Sequence, residues 1–294
     1  MRLNGGLGNQ LFQFSAAYAL ALKNKDTLKL DLSALNNPTS KQTQRKPDFL
    51  EFDFISAFEK ATPLEINKLR NPYGFFSKLR RIFNKKLLNK YYHDWHPEIM
   101  DLKGNIYLEG YFQTEYYFKD ISIQLVNNLR LNNQLIKNSW DISQIIASKK
   151  NSVSVHIRRG DYISNPKAKY FHDVCTKEYF YRAIDFLEHE IGNINLLVFS
   201  DEIAWVRDNM KWKQGTVFVS DLKGSDGKAL SGPQELLLMS SCQHNIISNS
   251  TFSWWGAYLN LNKNKKIVAP NIWNKSPIFN HKNIIPQGWV VIPV

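Results

Sequence analysis

The sequence has only two cysteines, Cys175 and Cys242, and it lacks long uncharged apolar runs. Two isolated cysteines cannot build a disulfide framework, and there is no Cys-x-x-Cys pair to hold a zinc ion. The apolar stretches fall well short of the roughly 20 residues that a membrane-spanning helix needs. The N-terminus shows no apolar leader with a cleavage site. These absences predict a protein that folds in a reducing compartment, and we expect a cytoplasmic location.

Several ligand-binding motifs are absent as well. The glycine-rich turn Gly5-Gly6-Leu7-Gly8-Asn9-Gln10 is not GxGxxG and contains no P-loop lysine. The chain has no Asp-x-Asp pair, which many sugar-nucleotide enzymes use to hold a divalent cation. His93 and His96 have i, i+3 spacing, but no third metal ligand is evident beside them. We therefore predict no metal and no cofactor.

The chain is rich in cationic and aromatic residues. Its 294 residues suit two domains of ordinary size, and its formal net charge is +12. Such an excess suits anionic partners, namely nucleic acid, an acidic lipid surface or a phosphorylated substrate. Nucleic-acid binding predicts aromatic residues interleaved with a basic run, whereas Trp254 and Trp255 lie far from the basic run at 78–90. We therefore predict no nucleic-acid partner.

The basic run at 78–90 allows two interpretations. Its apolar positions 79, 82, 83 and 87 share one face of a predicted helix, and cations surround them. That pattern is typical of helices that contact an acidic membrane surface peripherally. It is more often found in a solvated helix that packs its apolar face on the core.

Strands alternating with helices predict an α/β fold with a mostly parallel sheet. We place a boundary in the polar run 147–152, which gives an N-terminal domain of residues 1–150 and a C-terminal domain of residues 151–294. Each is expected to be Rossmann-like, and the two are expected to face a cleft. The predicted strands are 1–3, 27–32, 106–108, 153–157, 196–199, 217–219, 245–248 and 266–269. The predicted helices include 11–25, parts of 117–149, 177–190, one from Ser200 with Asp201 and Glu202 in its first turn, 232–242, and one from Ser250.

The strand at 153–157 carries the first candidate site. Alternation places His156 and Arg158 on one face, at the carboxyl end where open α/β sheets bind ligands. Arg158 and Arg159 suit a pyrophosphate, because guanidinium matches phosphate oxygens with paired hydrogen bonds. Asp161 would orient an arginine or a sugar hydroxyl. The alternative is a surface cluster in which Asp161 only neutralises an arginine.

A second candidate site follows the strand at 245–248. Ser250 or Thr251 is predicted to cap the next helix, where free N–H groups and the helix dipole attract phosphate. The alternative is an ordinary cap with Trp254 and Trp255 packed in the core.

The glycine-rich turn provides a third candidate site. It follows a strand and precedes a helix, and its glycines permit close backbone approach to a ligand. We therefore count Gly6 and Asn9 among the candidate ligand-binding residues, together with Asn249.

At this point the chain resembles the bacterial α-1,2-fucosyltransferases of glycosyltransferase family 11. The resemblance rests on ordered blocks that run nearly end to end. These blocks are 5–13 (GGLGNQLFQ), 110–115 (GYFQTE), 156–162 (HIRRGDY), 199–202 (FSDE), 237–242 (LLMSSC) and 245–255 (NIISNSTFSWW).

The resemblance implies a GT-B-like architecture, with an N-terminal acceptor-side domain and a C-terminal domain for GDP-β-L-fucose. It implies inverting, metal-independent transfer of L-fucose to the 2-hydroxyl of a galactoside, in surface glycan or O-antigen synthesis. It assigns the diphosphate contact to Arg158, with Ser250 and Thr251 beside the phosphates. His156 and Asp161 are candidate bases, and Glu115 is a third if the acceptor-side domain contributes. The alternatives are a fucosyltransferase of different linkage or acceptor and, more distantly, a basic nucleic-acid-binding protein.

Overall fold

The computed structural model describes residues 1–36, 47–52, 58–70, 95–129, 133–160, 174–275 and 283–294. The chain divides into two compact units, Met1–Arg130 with Lys282–Ile284, and Leu131–His281 with Ile285–Val294. The strands are β1 Lys29–Leu30, β2 Glu59–Lys60, β3 Ser152–Ile157, β4 Asn195–Ser200, β5 Val217–Phe218, β6 His244–Ile246, β7 Ile267–Pro270 and β8 Val290–Ile292. The α-helices are α1 Leu7–Asn24, α2 Ser33–Asn36, α3 Pro63–Arg70, α4 Ser122–Asn128, α5 Asn133–Asn138, α6 Trp140–Ala147, α7 Lys177–Ile191, α8 Ile203–Asn209, α9 Gly232–Ser240 and α10 Thr251–Tyr258. Short 3₁₀ turns lie at Asp48–Glu51, Pro97–Asp101, Glu115–Tyr117, Lys119–Ile121 and Val219–Asp221.

The first unit is built around α1, whose apolar residues are buried nearly all round. Phe14 of this helix packs against Phe49, with ring centroids 4.8 Å apart. The helix begins directly after Gly6, earlier than predicted, because the glycine turn is shorter than its sequence suggested. The predicted first strand is a single bridge, Arg2 to Asp31, and the backbone N–H of Arg2 donates to the Leu108 carbonyl at 3.1 Å. The strand predicted at 106–108 is not formed in the structure, although this hydrogen bond ties Leu108 to Arg2.

The second unit contains a six-stranded parallel sheet in the order β5-β4-β3-β6-β7-β8. The register places Ile157 of β3 beside Ser200 of β4, and Val155 of β3 beside Ile246 of β6. The chain order therefore reverses between β3 and β6. In doubly wound sheets the crevice at this reversal, outside the carboxyl ends of the strands, binds the ligand.

Helices of the second unit confirm most of the sequence pattern. Thr176 caps α7 by accepting the Tyr179 N–H at 3.3 Å, and the helix buries Tyr179, Ala183 and Leu187. Ser231 and Gln234 form a capping box at the start of α9. The helix predicted from Ser200 begins instead at Ile203. Its start differs because the Asp201 carboxylate accepts hydrogen bonds from a neighbouring loop.

The second unit begins before the boundary that the polar run 147–152 suggested. Gln234 donates to the Leu135 carbonyl at 2.9 Å, and the Asn138 amide donates to Asp226 at 3.0 Å. Residues 133–147, which the sequence placed in the first domain, therefore pack within the second unit. Of the helices that the structure describes, none is long and apolar enough to cross a membrane.

Candidate functional site

His156 lies at the carboxyl end of β3 and joins this strand to the segment after β6. Its side chain is buried, and its Nδ1 lies 3.2 Å from the Ser248 hydroxyl. The ring also packs against Phe252, with centroids 5.3 Å apart. Burial lowers the pKa of His156 to about 4, although nearby Asp201 opposes this and Arg158 adds to it. The imidazole is therefore neutral at pH 7, which suits a tether between the two strand ends.

Asp201 holds the loop that follows β3. Its Oδ2 lies 2.9 Å from Arg158 Nη1, so the two side chains form an ion pair. Its two carboxylate oxygens also accept the backbone N–H groups of Arg159 and Gly160, each at 3.0 Å. Asp201 thereby fixes both the guanidinium and the backbone of this loop.

Sequence reasoning placed Asp201 in the first turn of a helix and missed this role. A usable signal was present, because Arg158 follows the last residue of β3 and Asp201 follows the last residue of β4. The two strands are neighbours, and their last residues are paired in register. Residues that directly follow paired strand ends emerge side by side at the same edge of the sheet.

Gly160 is required by this arrangement. A Cβ built on Gly160 would lie 2.6 Å from Asp201 Oδ2, closer than side-chain atoms pack. The carboxylate can therefore reach the two backbone N–H groups only where residue 160 has no side chain.

Cationic side chains gather beside this loop around an aromatic ring. The guanidinium carbon of Arg159 lies 3.1 Å from the ring centroid of Trp205, and Lys177 Nζ lies 5.1 Å from the same centroid. Cation–π contact fixes the position of Arg159 without removing its charge. Trp205 and Lys177 were not predicted as site residues.

The segment after β6 provides a helix start, as predicted. Ser250 caps α10, its hydroxyl accepting the Phe252 N–H at 3.3 Å. Asn249 is buried and donates to the Trp273 carbonyl at 3.0 Å, which fixes the residue before the cap. Thr251 is the first helical residue and is half-buried. The N-terminal dipole of α10 thus lies at the carboxyl end of β6, next to β3.

Trp254 and Trp255 are fully buried within α10. The core-packing interpretation is correct for these two side chains. It is compatible with an anion-binding helix start, because the tryptophans anchor the helix from the side that faces the core.

Glu235 is an acidic group near Asp201 that sequence reasoning did not select. Burial raises its pKa to about 7, although a hydrogen bond with Ser220 opposes the shift and the negative charge of Asp201 adds to it. The Ser220 hydroxyl also accepts the Ser200 N–H at 3.1 Å, which ties this carboxyl to the end of β4. Glu235 therefore exchanges its proton near neutral pH.

The glycine turn in the first unit is held by amide side chains. Asn9 accepts a hydrogen bond from Gln113 Nε2 at 2.9 Å, and Gln13 Nε2 donates to the Gly110 carbonyl at 2.9 Å. Gly5 has a φ of 77°, which favours glycine. Gly6 stands at the start of α1 and, like Asn9, is half-buried.

Some candidate residues lie outside the part of the chain that the structure describes. These are Asp161, His93 and the basic run at 78–90. Among the described residues, no group of three or more His, Cys, Asp or Glu side chains is arranged to hold a metal ion. The described structure brings His156, Arg158 and Arg159 together at the end of β3, beside the Ser250 helix start.

Comparison with known proteins decides the family. The model of glycosyl transferase family 11 matches residues 1–293. The chain belongs to glycosyltransferase family 11. It is therefore a glycosyltransferase, as the sequence resemblance implied.

Two relatives in the family come from Escherichia coli. An alpha-1,2-colitosyltransferase is 33% identical, and the match covers 99% of this chain and 97% of the relative. The O-antigen biosynthesis glycosyltransferase WbnK is 32% identical, with 94% and 96% covered. A solved alpha-1,6-fucosyltransferase, NodZ soaked with GDP-fucose, matches 88% of this chain and 90% of its own with a TM-score of 0.52. At 13% identity that match shows the fold alone, and it confirms the predicted GT-B-like α/β class.

Proposed function

We propose that this family 11 enzyme transfers L-fucose from GDP-β-L-fucose to the 2-hydroxyl of a galactoside, inverting the anomeric centre. The observation that carries the proposal is the Arg158–Asp201 pair at the end of β3. A guanidinium that two elements hold in place is preorganised for an anionic leaving group. The sequence blocks of the family and the alpha-1,2-transferases among its relatives support the linkage.

Each residue of the site has a role in the proposed reaction. The bond from fucose C1 to the β-phosphate oxygen breaks, and its electron pair leaves with GDP. Arg158, assisted by Arg159, offsets the charge that develops on that oxygen. Free N–H groups at the start of α10, with Ser250 and Thr251, hold the phosphates. The galactoside 2-oxygen forms the new bond to C1 from the opposite face and loses its proton.

Metal independence is part of this proposal. The guanidinium groups and the helix start supply fixed positive charge where sugar-nucleotide enzymes with an Asp-x-Asp pair use a cation. We therefore propose that the enzyme needs no metal and no cofactor beyond its donor.

The proton acceptor is proposed among three residues. Asp161 follows the Arg158 loop directly in sequence, and Glu115 belongs to the first unit. His156 is available as a neutral imidazole at pH 7, but its burial against Ser248 favours a positioning role. The order of preference is therefore Asp161, Glu115 and then His156.

A second donor is supported by one observation. The relative that is 33% identical over nearly the whole chain is named an alpha-1,2-colitosyltransferase. Colitose is L-fucose without its 3-hydroxyl, so both sugars present the same leaving group and the same inverted centre. GDP-colitose is therefore the alternative donor.

The test is incubation of the purified enzyme with GDP-fucose or GDP-colitose and a panel of β-galactosides, followed by linkage analysis. We expect a 1,2-linked fucosylgalactoside. Exclusive use of GDP-colitose would show that the transferred sugar is colitose and not fucose. A product of another linkage would show that the enzyme glycosylates a different hydroxyl of the galactoside. No sugar transfer from either donor to any galactoside would contradict the proposal.

The natural acceptor is proposed to be a galactose-terminated, lipid-linked glycan. The basic run at 78–90 would then hold the enzyme against the acidic inner surface of the membrane. Liposomes with and without anionic lipid test this, using a variant in which the lysines and arginines of the run become glutamate. If both proteins sediment equally with anionic liposomes, the basic run does not bind the membrane surface.

A further inference from the structure

Three aromatic rings in the first unit form a cluster. Trp95 contacts Tyr116 and Tyr117 at steep ring angles, with centroids 5.7 Å and 4.8 Å apart. Tyr117 is buried, and its hydroxyl accepts the His96 N–H at 2.9 Å. Trp95 is half-buried and Tyr116 is 40% exposed. The cluster therefore rests on a fixed inner ring while two outer rings reach solvent.

A carboxyl group lies directly beside these rings in the chain. Glu115 precedes Tyr116 in a 3₁₀ turn that Thr114 caps by accepting the Tyr116 N–H at 3.3 Å. The Glu115 side chain is half-buried, and this burial raises its pKa although the positive charge of Lys119 opposes the shift. The cluster thus combines partly exposed aromatic surface with an acidic hydrogen-bond acceptor.

The backbone beside the cluster is strained. Phe112 is buried, yet its φ is 54°, in the left-handed region that few non-glycine residues adopt. The Thr114 N–H donates to the Phe112 carbonyl at 2.8 Å, which closes a tight turn. Such a conformation persists where surrounding structure imposes it, often at ligand sites. Here Tyr117 packs edge-on against Phe112, with centroids 5.4 Å apart.

The same segment is tied to the glycine turn. Gln113 donates to Asn9, and the Gly110 carbonyl accepts from Gln13. Residues 110–117 of the first unit therefore lie beside the Gly5–Gln10 turn, which is one of the candidate ligand-binding elements. An aromatic and acidic patch at this position is well placed to hold a substrate.

We propose that Trp95, Glu115 and Tyr116 form the subsite for the galactosyl residue of the acceptor; this inference rests on the proposed function. The axial 4-hydroxyl of galactose leaves the C–H groups at positions 3, 4 and 5 together on one face. That apolar face packs on an aromatic ring, while the hydroxyls at the edge donate to a carboxylate. Glucose, with an equatorial 4-hydroxyl, lacks the same continuous face, so the subsite discriminates between the two sugars.

Binding is tested first without any donor. Saturation-transfer NMR with methyl β-D-galactoside is expected to show the largest signals at H3, H4 and H5 with the unmodified enzyme. Methyl β-D-glucoside at the same concentration is expected to give at least fivefold weaker signals. Absence of galactoside binding, or equal signals from both sugars, would overturn the subsite.

Variants then locate the site. With whichever donor the enzyme uses, we expect Trp95→Ala to raise the acceptor KM at least tenfold and Glu115→Gln at least fivefold. Trp95→Phe keeps a ring and should stay within about threefold. The donor KM should stay within twofold for all three variants, and the rate of donor hydrolysis without acceptor should stay within twofold for the two Trp95 variants. Asp120→Asn is the matched control, because it removes the same charge from an exposed position nearby.

The outcomes separate this inference from the proposed function. One outcome is that the unmodified enzyme transfers sugar and the acceptor KM is unchanged in Glu115→Gln, Trp95→Phe and Trp95→Ala. In that case the subsite is wrong and the proposed function stands. If the enzyme transfers nothing but Trp95→Ala and Glu115→Gln abolish the galactoside NMR signals, the subsite stands and the function is wrong. A melting curve for each variant checks the fold, and Glu115→Gln carries the test if Trp95→Ala fails to fold.

Discussion

Replacing Asp201 by asparagine tests the arrangement at the end of β3. Asparagine has the same shape but only one acceptor oxygen, and its amide donates hydrogen bonds. The carboxylate accepts from Arg158 Nη1 at 2.9 Å and from the N–H groups of Arg159 and Gly160 at 3.0 Å each. With its oxygen in the Oδ2 position, asparagine can retain the contacts to Arg158 and Gly160, but without the negative charge, and it must present its NH₂ group to the Arg159 N–H.

The magnitude follows from these three contacts. A hydrogen bond to a charged group contributes about 1.5–3 kcal/mol and a neutral one about 0.5–1.5 kcal/mol, so losing one contact and the charge assistance of the other two removes roughly 3–6 kcal/mol. The side chains of Arg158 and Asp201 are 22% and 25% exposed, so water recovers part of this loss. A net cost of about 3 kcal/mol corresponds to roughly a 100-fold fall in kcat/KM, at about 1.4 kcal/mol for each factor of ten.

The assay is sugar transfer at saturating acceptor, with GDP affinity measured in parallel by calorimetry. Asp208→Asn is the control, since Asp208 is 68% exposed and lies 3.5 Å from Arg207 Nε in an exposed pair. We expect the control to stay within twofold of the unmodified enzyme. Gly160→Ala disrupts the same contact by changing the loop and not the carboxylate, because its methyl group would lie 2.6 Å from Asp201 Oδ2.

The reasoning is refuted if Asp201→Asn keeps kcat/KM and GDP affinity within threefold while the control behaves as expected. It is also refuted if Gly160→Ala is fully active. Either result would mean that the carboxylate does not position the loop that is proposed to bind the donor.

Three further predictions concern the charge of Arg158, the pH dependence of stability and the need for a metal. Arg158→Lys should lose at least 100-fold in kcat, because one ammonium cannot reproduce a bidentate grip on phosphate; near-normal turnover would contradict the role. Glu235 has a folded pKa of about 7 against an unfolded value of 4.5, so its stabilising proton is fully bound below pH 4.5 and lost as the pH rises through 7. Glu235→Gln should therefore be more stable than the unmodified enzyme at pH 8, by roughly 2 kcal/mol in urea unfolding, with the difference shrinking towards pH 5. If the stability difference between the variant and the unmodified enzyme stays constant from pH 5 to pH 8, Glu235 is not the group with the raised pKa. Sugar transfer should persist in EDTA, and loss of activity that Mn²⁺ restores would overturn metal independence.

Elements with strong local signals were predictable from the sequence. The strand at 153–157 and the helix at 177–190 carry apolar residues at a clear period, and the structure confirms both almost to the residue. The Ser250 cap is also confirmed, because a cap depends only on its own side chain and the next few N–H groups.

The parts that depend on distant contacts were not predictable in the same way. Asp201 resembled a helix N-terminal acid, and only its contact with a loop some forty residues earlier reveals its role. Residues 133–147 joined the second unit through hydrogen bonds to positions near 226 and 234. The strained turn at Phe112 carries no sequence signal, since phenylalanine is an unfavourable residue for a positive φ.

The hydrogen bond between His156 and Ser248 joins residues that are 92 positions apart in the chain. Contacts of such separation form late in folding, because a long loop must close before they contribute. The proposed donor site would therefore be complete only when residues on both sides of the strand reversal have assembled. A nascent chain that ends before α10 has the arginines but not the helix start, so binding of GDP at the proposed site would report that the whole second unit has folded. By the same linkage, GDP should protect this unit from proteolysis, with no effect on its incompletely folded forms.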